Sequence, residues 1–137
     1  MEKLMKTILS FCLLLSLAVP VCSQDTNYNI VKGDTVFKKV AKESTFKGGA
    51  EGWTKFLQSS LVYPAKATRK KIEGVVILQF IVDEKGTVHD AEVLSGHRML
   101  STAALDAIRQ SPRWIPAELD GKKVKSYKKQ PIQFRLL

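Results

Sequence analysis

Eight almost entirely apolar residues, VVILQFIV at positions 75–82, precede DEKG at 83–86 and TVHDAEVL at 87–94. The first segment is rich in β-branched and aromatic residues, which is typical of a buried strand. Gly86 closes the short loop and supplies the positive φ angle that a tight hairpin often needs. Within residues 87–94, Asp90 and Glu92 alternate with Ala91 and Val93, so we predict that this stretch returns as an antiparallel partner with one exposed face.

Two helices and a further strand are predicted around this hairpin. Helical spacing of apolar residues predicts a helix over residues 50–60, and Ser101 is a suitable N-cap for a second helix that ends near residue 110. Alternating side chains over residues 128–136 predict the last strand. The expected fold class is α+β, a small three-stranded antiparallel sheet packed against two helices. The apolar stripe of the first helix is interpreted as core packing, and its residues are Trp53, Phe56, Leu57 and Leu61.

The N-terminus has the pattern of a secretory signal peptide. Basic residues precede an apolar run at 8–21, which is shorter than the roughly 20 residues that cross a bilayer as a helix. Cleavage is predicted between Ser23 and Gln24. Two alternatives stay open, namely lipid attachment at Cys22 and an uncleaved anchor in the inner membrane.

The length of 137 residues suits a single domain after this leader. The expected organisation is a signal peptide at 1–23, a short tether at 24–45 and a folded domain at 46–137. Both cysteines lie in the predicted leader. The mature chain is therefore expected to have no disulfide, thiol nucleophile or cysteine metal ligand.

The formal net charge is +9. A basic small protein can bind nucleic acid or an anionic surface, or it can simply carry a lysine-coated exterior. Because an exported protein rarely meets its own genome, we expect no nucleic-acid partner. Basic residues cluster at 66–71 and 122–129, and they are interpreted as protecting an exposed strand from aggregation and steering it toward an acidic envelope partner.

The sequence carries no pattern typical of catalysis. It has no phosphate-binding loop, its serines lack a nucleophile motif, and His89 and His97 lack the companions of a metal site. We expect a protein that is not an enzyme and has no cofactor, metal or small-molecule substrate.

The last predicted strand contains a proline. Pro131 cannot donate to a ladder, so it indicates an edge strand, and lysines and Arg135 decorate the same segment. Charge and proline protect an edge from aggregation. The same edge is also suited to accept an extended peptide as an added strand, and both interpretations stay open at this point.

A series of short motifs runs in order along residues 46–137. The motifs are Phe46-Lys47-Gly48-Gly49, Trp53, Phe56-Leu57, Tyr63-Pro64, Ala67, Ile72-Glu73-Gly74-Val75-Val76, Phe80-Ile81-Val82-Asp83, Gly86-Thr87-Val88, Ala103-Ala104-Leu105, Pro112-Arg113-Trp114-Ile115-Pro116-Ala117, Gly121-Lys122 and Pro131-Ile132-Gln133-Phe134-Arg135-Leu136. Each motif is weak alone, but their order is specific. Residues 46–137 therefore resemble the TonB C-terminal domain family, in the variant common in Bacteroidetes.

The resemblance implies a periplasmic domain that binds the TonB box of an outer-membrane TonB-dependent transporter. In that family the box pairs as a strand beside the last strand, near the Tyr-Pro motif. The implied peptide-binding residues are Tyr63, Pro64, Lys129, Gln130, Pro131, Ile132, Gln133, Phe134 and Arg135.

The chain departs from the family pattern in front of this domain. Transducers of the family have a retained anchor that meets the ExbB–ExbD motor, followed by a long proline-rich span. Residues 24–45 contain no proline and reach roughly 75 Å when fully extended. We therefore expect a short-form periplasmic module without autonomous force transduction, with ExbB–ExbD as a partner only if the chain is anchored. The alternative is an envelope interaction module that uses the same edge to form a homodimer.

Overall fold

The computed structural model describes residues 27–137. The predicted signal peptide and its cleavage site lie outside the described residues. The described elements, in chain order, are β1 (Tyr28–Val31), β2 (Asp34–Phe37), α1 (Gly49–Ser60), α2 (Ala65–Arg69), β3 (Gly74–Val82), β4 (Val88–Ser95), α3 (Arg98–Arg109), β5 (Ala117–Leu119), β6 (Lys122–Val124) and β7 (Ser126–Phe134).

The main sheet has five strands in the order β1-β2-β7-β3-β4, and β5 and β6 form a separate hairpin. Strand β3 pairs antiparallel with β4 and with β7, whereas β2 meets β7 in parallel at Phe37↔Ser126. The α+β class and the three antiparallel strands are confirmed. The predicted three-stranded sheet with two helices was wrong in its numbers, because β1 and β2 extend the sheet and α2 adds a third helix.

Helix α3 begins four residues earlier than predicted, because His97 and not Ser101 is its N-cap. The Nδ1 atom of His97 accepts a hydrogen bond from the Met99 N–H at 3.1 Å. The Ser101 hydroxyl donates to the His97 carbonyl at 3.2 Å from within the first turn. Histidine at an N-cap is less typical than serine, which is why the sequence pattern favoured the wrong residue.

The core lies between one face of the sheet and the helices. Val76, Leu78, Phe80 and Val82 of β3 are fully buried on this face, and Ile132 of β7 lies beside Val76 in the ladder. An aromatic cluster fills the end of the core below α1. It comprises Phe46, Trp53, Phe56, Phe80 and Trp114, with neighbouring ring centroids 5.1–5.6 Å apart.

The β1–β2 hairpin lies within the predicted tether at 24–45. Val36 is 1% exposed, the Phe37 N–H donates to the Lys125 carbonyl at 2.9 Å, and Asp34 forms an ion pair with Lys125. Part of this segment is therefore attached to the sheet. The sequence of β1 gives no clear strand pattern, because the strand has only four residues and none of them is fully buried. The domain boundary at residue 46 stays a prediction.

Asp83 organises the β3–β4 loop. Its carboxylate accepts hydrogen bonds from the N–H groups of Lys85 and Thr87 at 2.9 and 2.8 Å, and it lies 2.8 Å from the Nε2 atom of His89. Burial alone would raise the pKa of Asp83. The hydrogen bonds from His89, Thr87 and Lys85 outweigh burial and hold that pKa below its ordinary value of 3.8.

We expect Asp83→Ala to lower the free energy of unfolding by about 1 kcal/mol at pH 7. Because the pKa of Asp83 is lower in the folded state, its contribution is complete above pH 3.8 and is lost as the pH falls through the folded pKa. Urea unfolding at neutral pH and at about pH 2.5 measures the difference. Glu84→Ala, on the exposed neighbour in the same loop, is the control. An equal effect of Asp83→Ala at both pH values would contradict the assignment.

Candidate functional site

One edge of β7 is largely unpaired. Strand β3 pairs with β7 along its whole length, from Gly74↔Phe134 to Val82↔Ser126. On the opposite side β2 covers only Ser126. Within residues 27–137, no other strand pairs with β7 on that side, so its backbone from about residue 128 onward is open.

The direction of the backbone groups explains why a proline is tolerated here. The Lys125 carbonyl points toward β2, because it accepts the hydrogen bond from Phe37. Backbone direction alternates along a regular strand, so residues 127, 129, 131 and 133 also point away from β3. Pro131 therefore removes no hydrogen bond from the β3–β7 ladder.

A groove of about 660 Å³ runs between the open edge and α1. Trp53 and Leu57 of α1, together with Leu61 and Tyr63, form one wall. The other wall consists of residues from β7 and the chain end, namely Gln130, Pro131, Gln133, Arg135 and Leu137. The groove thus combines apolar side chains with free strand backbone, the two features that an added strand uses.

Tyr63 is held in place by contacts on both sides. Its ring packs edge-to-face on Phe134 with centroids 5.5 Å apart, and its hydroxyl donates to the Ile72 carbonyl. Burial, and then the negative charge of Glu73, raise the pKa of Tyr63. The hydroxyl therefore stays a donor at neutral pH, and Glu73 also accepts a hydrogen bond from the Leu136 N–H.

The structure brings most of the residues suggested by the resemblance to this edge, but not all of them. Tyr63 and the side chains of residues 130, 131, 133 and 135 line the groove, and Lys129 is exposed on the same edge. Ile132 and Phe134 are buried in the core, so only their backbone belongs to the strand that forms the edge. Pro64 faces a different groove, between α2 and α3.

The α1 wall was missed from the sequence. Trp53, Leu57 and Leu61 were interpreted as core, and Trp53 is indeed 7% exposed. Leu57 and Leu61 are only partly buried, and one side of the stripe forms the groove wall. The only sequence signal for this wall was the width of the apolar stripe of α1, which is greater than one buried helix face requires.

The basic cluster around β7 is partly neutralised. Lys128 lies 2.9 Å from Glu43, and Lys125 pairs with Asp34. Lys129 and Arg135, in contrast, have no carboxylate within ion-pair distance in the described part of the chain. The open edge therefore presents positive charge beside the groove.

Residues 27–137 contain no group of three or more His, Cys, Asp and Glu side chains that could hold a metal ion. The same residues include no helix that is long and apolar enough to cross a membrane.

Residues 59–136 match the family model of the Gram-negative bacterial TonB protein C-terminal. The match spans more than half of the chain, and the chain therefore belongs to the TonB C-terminal domain family. This family consists of periplasmic, non-enzymatic energy transducers, and membership implies interaction with TonB-dependent transporters.

Among solved structures, the chain is similar to the solution structure of the Helicobacter pylori TonB C-terminal domain. The identity is 22%, the TM-score is 0.42, and the similarity covers 61% of this chain and 77% of that chain. No curated protein matches the chain.

Proposed function

We propose that this chain is a short-form periplasmic TonB protein that binds the TonB box of an outer-membrane transporter as an added strand on β7. The observation that carries the proposal is the open edge of β7 beside an apolar groove. As part of the same proposal, residues 1–23 are a cleaved signal peptide and the variant is the one common in Bacteroidetes.

The structure limits where an added strand can lie. Strand β2 occupies the edge at Ser126, so the incoming peptide pairs with residues from about 128 to 134. Residues 129 and 133 offer both an N–H and a carbonyl, whereas Pro131 offers only a carbonyl. The ladder therefore has one gap at its centre, and the groove side chains add apolar contact to the remaining hydrogen bonds.

Calorimetric titration with a synthetic TonB-box peptide from the same organism tests this function. We expect Gln133→Pro to weaken binding about five- to tenfold, because it removes one outward N–H without touching the β3 ladder. Gln133→Ala is the matched control, since it removes the same side chain and keeps the N–H. Its affinity should stay within about twofold of the wild type.

Circular dichroism must show that Gln133→Pro is folded. Equal affinities for the two variants would mean that the peptide does not pair with this edge. If the wild type binds no peptide at submillimolar concentration and light scattering shows a stable dimer, the chain is a homodimeric envelope interaction module instead.

A further inference from the structure

A second groove lies on the other side of the segment that links α1 to α2. It has a volume of about 700 Å³ and lies between α2 and α3. Side chains of the extended linker alternate between the two grooves: Leu61 and Tyr63 line the groove beside β7, and Val62 and Pro64 line the second one. We propose that this α2–α3 groove binds an acidic amphipathic helix of a protein partner.

Small and apolar side chains form the floor of the α2–α3 groove. Ala65, Ala103 and Ala107 have small side chains, which lets the backbone of a partner approach α2 and α3 closely. Met99 adds a flexible apolar side chain suited to a variable surface. Val62 is 76% exposed although it is a large apolar residue, so a partner would remove apolar surface that folding leaves in water.

Cations surround this floor. Lys66 and Arg69 of α2 lie on one side and Arg98 of α3 on the other, and all three line the groove. No carboxylate among residues 27–137 lies within ion-pair distance of these three side chains. The acidic residue on the rim, Asp106, lies 3.8 Å from Arg109. The positive charge of this rim is therefore complementary to a partner segment that is rich in Asp and Glu.

The walls of the groove determine the conformation of the partner. The groove is lined by α2, by α3 and by the extended linker before α2, and none of these belongs to a sheet. Helix α3, with twelve residues, satisfies most of its backbone N–H and carbonyl groups internally. An extended peptide would find no ladder here, unlike at β7, and would leave its own backbone groups unpaired. A helix satisfies its own backbone and can place apolar anchors on the alanine floor with acidic residues toward the rim. A flat anionic membrane would contact the rim but not the recessed floor.

A designed peptide tests the proposal with the full chain. The probe is a capped helix of about 18 residues with leucine on one face and glutamate on its flanks, compared with a version that carries lysine in place of glutamate. We expect the acidic peptide to shift the NMR signals of Val62, Met99 and Ala103. Its affinity should fall as salt rises from about 0.05 to about 0.5 M, and the lysine version should not bind.

The double variant Arg69→Glu, Arg98→Glu should weaken binding about tenfold or more, because it reverses the rim charge. Lys122→Glu, Lys123→Glu on β6 makes the same change in net charge on exposed residues outside the groove, and it should leave the affinity unchanged. Val62→Ser should weaken binding several-fold without changing charge, since it removes the exposed apolar side chain. Gln133→Pro should have no effect, which separates this site from the β7 edge.

Several results would overturn the proposal. These are no binding of the acidic peptide at millimolar concentration, equal losses for the two charge-reversed variants, or shifts confined to β7. Vesicles with anionic lipid are titrated in parallel. If they bind in a manner that depends on Arg69 and Arg98 while the peptide does not, the surface is a membrane contact and the proposed partner is wrong.

Discussion

An alanine at position 86 is expected to cost about 3 kcal/mol or more of folding free energy, or to prevent folding. Gly86 is buried and has a φ angle of +83°, a conformation that L side chains rarely adopt. A Cβ atom there would also lie far inside contact distance of the Trp114 carbonyl. Because the Trp114 N–H donates to the Gly86 carbonyl at 2.9 Å, the two backbones cannot separate without losing this bond.

Gly121→Ala is the matched control for Gly86→Ala. Gly121 has a similar φ angle of +75° in the β5–β6 turn, but nothing lies within 4 Å of a Cβ built on it. It should therefore report the backbone strain alone, about 1 kcal/mol. Urea unfolding followed by tryptophan fluorescence measures both variants. Similar losses for the two would show that the approach of Trp114 contributes nothing.

Gly86 also shows what a sequence pattern can and cannot predict about this fold. Its place in a short loop between two strand patterns predicted the hairpin and the positive φ. The close approach of Trp114 depends on where the chain returns after α3, and no local pattern carries that information. The same limit applies to the pairing of β2 with β7, because Phe37 and Ser126 lie about 90 residues apart in sequence.

Some features of the candidate site could likewise be predicted from the sequence, and others could not. Pro131 indicated an edge strand from its chemistry alone, and the structure places it on the open side of β7. The groove wall from α1 could not be predicted, because a helix periodicity gives the apolar face but not how far that face extends beyond the sheet. Pro64 follows Tyr63 directly, yet it faces the other groove, since side chains alternate along the extended linker.

Phe134→Ala is expected to lower the free energy of unfolding by about 3–5 kcal/mol, a large part of the stability of a small domain. Phe134 is 1% exposed and packs against the Tyr63 ring. Its removal therefore leaves a cavity and takes away the packing that holds Tyr63 in the wall of the groove between α1 and β7. Thermal or urea unfolding measures the loss. Gln133→Ala, on the exposed neighbour, should change stability by less than about 0.5 kcal/mol.

The conservative variant Phe134→Leu tests whether the Phe134 side chain contacts the bound peptide. Leucine keeps most of the apolar volume, so the fold should survive with a smaller loss of about 1–2 kcal/mol. Because the Phe134 side chain points into the core while only its backbone belongs to the strand, the TonB-box peptide should bind folded Phe134→Leu within about threefold of the wild type. A much larger loss of affinity, with the fold intact, would mean that the phenyl ring contacts the peptide directly. In that case binding would require Phe134 to leave the core, and the groove between α1 and β7 would have to open before the strand is added.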